Sequence, residues 1–375
     1  MKFKYCTFFW GILLLWWSHT ALAACYFDPT SSVQQALTVT VPLHIANVTV
    51  GPDYPNGSVV YRQAYSPSFA SGSNLRITCD TAGQFYINKT LPIIPLPRSG
   101  WNADPYAGNI YETGIPGLGV AITYGGYSYV NGQPFPNTVQ ACAGVADHTS
   151  CDVPNTNFGF VLTIIKTGVV SPGTLSGASL PCANIAMGTA GNDVNVVHAC
   201  FSGGVNIVSK TCQTPDVYVE LGTHDATEFS GQGSATQWVN ANIHLKDCPI
   251  FYGENRFGGT WSDNNVYTPD RATPNQVWFQ LTPTTTILDS VNGIMDVDKS
   301  DDNAAEGIGI QIAMDSSGTI SPLDFNTGHL VDLPTGQQTD ITLPIMARYV
   351  QTATSARELK PGIADGKLTF LIDYF

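Results

Sequence analysis

Apolar positions in the second half of the chain recur every two residues. Val217, Val219 and Leu221 alternate with Tyr218 and Glu220, and Val239, Ala241, Ile243 and Leu245 alternate with Asn240, Asn242, His244 and Lys246. Ile308, Ile310 and Ile312 flank Gly309 and Gln311, and Ile341, Leu343, Ile345, Ala347 and Tyr349 keep the same period. A period of two sets one row of side chains on a core and the other in solvent, which predicts antiparallel strands packed as a sandwich. Asp315-Ser316-Ser317-Gly318 and Pro334-Thr335-Gly336 supply turns between them. The first half is less regular. Leu75–Cys79 and 84–88 read as strands, and 119–122 and 158–165 as buried ones. Loops rich in Pro, Gly, Asn and Tyr occupy 95–106 and 124–136. No helical periodicity follows the first 23 residues, so the fold class is all-β, with two β-sandwich domains.

The start of the chain follows a different pattern. Lys2 and Lys4 precede an apolar run over 8–17, interrupted by Gly11, and Ala21-Leu22-Ala23 supplies small residues for cleavage. This is read as a secretory signal peptide, 1–23, and no later apolar run is long enough to span a membrane as a helix. Leu22-Ala23-Ala24-Cys25 also resembles a lipoprotein box, in which Cys25 would carry a lipid. Cysteine arithmetic opposes it. Of nine cysteines, Cys6 leaves with the signal, and the even set that remains reads as disulfides in an exported protein. Lipidation would strand one thiol.

Composition agrees with a turn-rich β-protein: 12% of residues are charged, with 36 Gly and 24 Pro. Loss of Lys2 and Lys4 takes the formal charge from −13 to −15. Such a surface repels phosphates, which argues against nucleic acid as a partner. The best boundary lies where Gly203-Gly204 and small polar residues precede Cys212. It divides the mature chain into an N-terminal domain (24–205), a linker (206–211) and a C-terminal domain (212–375).

Catalytic motifs are missing from the sequence, with neither Gly-x-Ser-x-Gly nor His-Glu-x-x-His, and no enzyme activity or cofactor is expected. His148, between Cys142 and Cys151 and beside Asp147 and Asp152, is a weak candidate for zinc; a polar residue in a disulfide loop is the simpler reading. Asp296-x-Asp298 lacks the turn glycine and the twelfth-position glutamate of a calcium loop. For sugar binding the useful mixture is aromatic faces beside Asp, Asn and Arg. One loop concentrates it: Arg98, Trp101, Asn102, Asp104 and Tyr106. Tyr124, Tyr127 and Tyr129 form a second cluster, and Asp53-Tyr54 a third.

Several features of 212–375, in order, carry a resemblance. Cys212 and Cys248 bracket the first strands, and Gly307-Ile308-Gly309-Ile310-Gln311-Ile312 is a glycine-flanked strand. Ala347-Arg348-Tyr349 and Pro361-Gly362-Ile363-Ala364-Asp365-Gly366 follow, and then the alternating Leu368, Phe370, Ile372, Tyr374 and Phe375. The segment resembles the pilin domain of chaperone–usher fimbriae. The resemblance implies an incomplete immunoglobulin-like sandwich lacking its last strand, with 368–375 bordering a groove. That groove is filled first by a periplasmic chaperone at an outer-membrane usher, then by an adjacent subunit. Roughly 180 residues stand where an ordinary pilin has a short extension, enough for a domain. The whole is therefore similar to two-domain tip adhesins, extracellular at the fimbrial tip, whose N-terminal domain is a glycan-binding lectin. A protein ligand such as extracellular matrix, or a glycoside hydrolase with two facing carboxylates, are the alternatives.

The resemblance also implies a Cys25–Cys79 bridge pinning the N-terminus and a Cys212–Cys248 bridge. Cys142–Cys151 and Cys182–Cys200 are preferred by proximity, although four cysteines allow three connectivities.

Overall fold

The computed structural model describes residues 24–70, 74–124, 127–128, 137–138, 142–145, 148–153 and 158–375. The signal peptide expected at 1–23 lies outside these residues, as do Asp147 and Tyr129. The fold is all-β; among the described residues the helical elements are single 3-10 turns such as Ser68–Ala70 and Ala226–Glu228.

Two large sheets enclose the first core. One runs Asn137–Thr138, Phe85–Ile93, Cys182–Thr189, Asn192–Ser202, Leu37–Pro42, with the last pair parallel. The other runs Tyr111–Glu112, Leu118–Tyr124, Phe160–Lys166, Val59–Tyr65 and then two strands from far along the chain, Gly259–Ser262 and Val266–Pro269. Alternate residues meet between the sheets: Ile87, Leu91 and Ile185 from one, Val120, Leu162 and Ile164 from the other, all buried. Phe160 sets its ring edge-on to Phe201 across the gap, with centroids 5.9 Å apart.

The second core packs between short strands of the C-terminal half. Ile308–Ser316 lies centrally, flanked by Ile345–Gln351 and Ile294–Asp296, and Gln276–Pro283 pairs with both His329–Asp332 and Leu368–Tyr374. The alternation over 239–245 is present but divided into Val239–Asn240 and Ile243–Leu245. Both pieces pair with the chain from 341 to 347. Pro344 has no N–H to give the ladder at the break.

Four disulfides are present: Cys25–Cys79, Cys142–Cys151, Cys182–Cys200 and Cys212–Cys248. Two expectations are corrected. Residues 206–208 are not linker but part of the strand Gly204–Val208, whose Val205 and Ile207 are buried in the first core; 209–211 alone is loop. Val217–Leu221 alternates in sequence yet joins no ladder, because no described strand lies beside its main chain.

The two halves share more than a covalent join. Gly259–Ser262 extends the sheet of the N-terminal half by pairing parallel with Val59–Tyr65, and Trp261 is buried in that half's core. Asn275, itself buried, donates to Thr49 O and Phe375 O (both 3.2 Å) and accepts from Gly253 N at 2.8 Å. Thr49 Oγ1 in turn accepts from Tyr252 N at 2.9 Å. These bonds satisfy main-chain groups that the seam would otherwise bury unpaired.

Candidate functional site

The loop expected to hold ligand is tied down along its length. Ser99 N donates to Ile110 O at 2.8 Å and Glu112 N to Pro97 O at 2.9 Å. The Trp101 indole donates to Pro105 O at 3.0 Å, and its ring and Tyr106 pack on a small apolar cluster of Ile110, Ala121 and Ile165. Trp101 is therefore half-buried cover for the outer face of the sheet. Arg98, Asn102 and Asp104 are exposed on the same loop. A Cβ on Gly57 would lie 3.0 Å from Asp104 O and 3.3 Å from the Trp101 ring, so the turn at 51–57 abuts this loop.

Asp53 and Tyr54 belong to that turn and bond across the seam. Asp53 Oδ2 accepts from Tyr374 N at 3.0 Å, and the buried Tyr54 hydroxyl donates to Glu254 Oε2 at 2.7 Å. The turn is held by Lys166, whose ammonium donates to Pro52 O and Tyr54 O at 2.8 and 2.6 Å. Burial, only partly opposed by the Tyr54 bond and by Arg256, pushes the Glu254 carboxyl up to about 7.

Of the two acids beside the zinc candidate His148, only Asp152 is among the described residues. Asp152 is held by Arg76 through two bonds of 2.7 and 2.6 Å, a bidentate pair that leaves little for a metal, and Asp147 lies outside the described residues. Among the described residues the ligand-type cluster is Cys182, His198 and Cys200, and its two sulfurs form a disulfide with no thiolate to offer. The calcium-like segment is self-contained: Lys299 sits 3.3 Å from Asp296, and Asp298 and Asp301 accept from Ser300 N and Asn303 N at 2.8 Å. Of the second tyrosine cluster, Tyr124 lies under the buried Lys89 ammonium, 3.0 Å from the ring centroid.

A groove of about 880 Å³ runs along the C-terminal half. Its floor is apolar, with Ile243, Leu281, Met295, Ile310, Ile312 and Ile345. One rim is 216–223, where Val217 and Leu221 lean on the core while Tyr218 stays 93% exposed. None of 214–223 bonds to another main-chain group among the described residues. The other rim is the start of Leu368–Tyr374, paired on one side with Gln276–Pro283 and on the other with no described strand. Leu368 and Phe370 point into the groove, Ile372 and Tyr374 pack on the core, and Phe375 is bonded at the seam to Gln276 through both N and O at 2.8 Å. Sequence reading identified the second rim and missed the first as a rim; its signal was an alternating apolar run that finds no ladder.

Residues 201–375 match the family described as fimbrial protein. Over almost the whole length of both chains (99% of each), the protein is 24% identical to a fimbria adhesin protein of Klebsiella pneumoniae. The C-terminal half is thus like a fimbrial protein, and the chain as a whole is similar to a fimbria adhesin. The chain is also 27% identical over 174 residues to the fimbrial-like protein YraH of Escherichia coli, covering 45% of this chain and 83% of that one. Among solved structures, the CupB6 tip adhesin of Pseudomonas aeruginosa aligns over 94% of both chains at 15% identity, with a TM-score of 0.33. The family match covers the half of the chain that contains the groove.

Proposed function

We propose that this adhesin is exported through the periplasm to a fimbrial tip, binds a host or environmental glycan through its N-terminal half, and joins the fibre by accepting a strand in its C-terminal groove. The observation that carries the second part is the groove with two unsatisfied rims. An apolar trough bordered by unpaired main chain is an aggregation hazard unless a strand covers it. A strand of alternating apolar residues satisfies it, with side chains on Ile243, Ile310 and Ile312 and amides bonded to both rims. A periplasmic chaperone, at an outer-membrane usher, is the first donor in this reading, and an adjacent fimbrial subunit the second.

For the N-terminal half, the support is the fixed loop carrying exposed Arg98, Asn102 and Asp104 beside Trp101 and Tyr106. Ring faces cover sugar C–H groups while the polar side chains bond hydroxyls. Single sites of this kind hold sugar weakly, and many fibres per cell raise avidity. A glycan array probed with the full chain tests this. Trp101→Ala confounds binding with packing, so Asn102→Ala with Asp104→Ala is the sharper variant. Loss of glycan signal at an unchanged melting temperature supports the loop; undiminished signal removes it. For the groove, Ile312→Glu is expected to abolish recovery of adhesin co-expressed with its chaperone, and normal recovery contradicts strand acceptance.

A further inference from the structure

The seam between the halves carries a second feature, unconnected with the loop at 98–106. Phe257 is 46% exposed, although the buried pair Glu254 and Asn255 lies just before it, separated by Arg256. Two guanidinium groups flank its ring: Arg256 Cζ lies 5.6 Å from the centroid and Arg271 Cζ 5.2 Å. Arg62 comes close from the N-terminal half, since a Cβ on Gly258 would lie 3.2 Å from its Cγ. Three arginines around an exposed ring stand out in a chain with 16 basic residues against 29 acidic ones.

Their donors are under-used. Arg62 Nε is buried with no hydrogen-bond partner. Arg256 makes only long contacts, at 3.4 Å to Thr273 Oγ1 and to Tyr54 OH and 3.8 Å to Glu254. The Arg271 guanidinium forms no hydrogen bond among the described residues, and the neighbouring Asp270 carboxylate accepts from the Arg271 main-chain N–H at 2.7 Å. Glu254 and Asp270 are the nearby acids, one buried and the other engaged with main chain.

The backbone beneath is rigid. Arg62 N donates to Asn255 O at 2.9 Å, Glu254 N and Thr273 N exchange bonds with each other's carbonyls at 2.9 and 3.1 Å, and Asp270 N donates to Gly258 O at 2.9 Å. Gly258 has φ of +85° and sits so near Arg62 O, 2.8 Å from its would-be Cβ, that only glycine fits. Phe257 and Arg271 therefore stand on facing arms of one short ladder, in place before any ligand arrives.

We propose that Phe257, Arg256 and Arg271, with Arg62 behind them, form a seat for an acidic sugar residue, carboxylated or sulfated. The apolar face of the sugar ring lies on Phe257, and its anionic group accepts from the guanidinium forks, whose planar geometry suits carboxylate and sulfate oxygens. The proposal shares with the glycan-binding reading its class of ligand but not its residues.

The test is isothermal titration of the full-length chain with glucuronate, N-acetylneuraminate and galactose 6-sulfate, and with galactose as the neutral control. Saturable binding of at least one acidic probe and none of galactose is expected. Arg271→Gln and Phe257→Ser are both at exposed positions and are expected to weaken it about tenfold or more with no change in melting temperature. Binding of carboxylated probes alone, or of the sulfated one alone, identifies which anion the seat takes. No saturable binding of any acidic probe to folded protein, or equal affinity in both variants, overturns the proposal. Loss of acidic-sugar binding in Asn102→Ala with Asp104→Ala, with Arg271→Gln silent, overturns it in favour of the loop, so the two sites fail separately.

Discussion

Glu254 shows how one side chain ties pH to the seam. Its carboxyl is 4% exposed, Oε1 has no partner, and Tyr54 and Arg256 are the polar groups facing it. In the unfolded chain the group titrates near 4.5, whereas in the fold it is pushed up to about 7. The folded state therefore holds a proton that the unfolded state has released, and stability falls as pH rises between those values. The stabilisation is fully present below 4.5 and lost as pH passes about 7, a difference of about 3 kcal/mol. Glu254→Gln keeps an acceptor for Tyr54 and removes the titration. It is expected to unfold at higher denaturant than the parent at pH 8 and to show no extra slope between pH 4.5 and 7 in urea titrations. Tyr54→Phe leaves the carboxylate without its one close donor and is expected to cost about 1–3 kcal/mol at pH 8 by the same assay. Nothing near Tyr54 in sequence distinguishes a ligand tyrosine from a seam tyrosine, because the partner that decides it is 200 residues away.

At the scale of elements, strands with a clean period-two apolar row were legible and those without one were not. The ladder of Ile308–Ser316 with Ile345–Gln351, and the alternation of Leu368–Tyr374, follow from period two against one core. The hairpin Gly259–Ser262 and Val266–Pro269 carries no such mark, since its parallel partner, Val59–Tyr65, belongs to the other half. The strand at 204–208 was hidden by Gly203-Gly204, which read as a domain boundary. The hairpin has a direct consequence. Trp261 is 4% exposed in the N-terminal core, so Trp261→Ala is expected to cost about 3–5 kcal/mol of stability, read in urea unfolding by a probe in the N-terminal half. A fragment of 24–208 also exposes the edge of Val59–Tyr65. It is expected to elute as aggregate or dimer in size-exclusion chromatography, whereas a monodisperse monomer indicates that the hairpin is dispensable.

For the molecule as a whole, composition, the even cysteine set and the motif order of 212–375 were enough to read an all-β fold, its disulfides and a C-terminal half like a fimbrial protein. The groove itself was legible only on one side. Its C-terminal rim has a strong alternating signal, while 216–223 has the same alternation and no ladder, and sequence alone does not separate a strand from an extended rim waiting for one. The central claim is that both rims take a partner strand. Amide hydrogen exchange of the full-length adhesin, alone and bound to its periplasmic chaperone, tests it most directly. The account expects slow exchange to appear in the complex at 216–223 and along the free edge of 368–370 together, with little change in the N-terminal half. Unchanged fast exchange on both rims in a stable complex, with protection elsewhere, would contradict it.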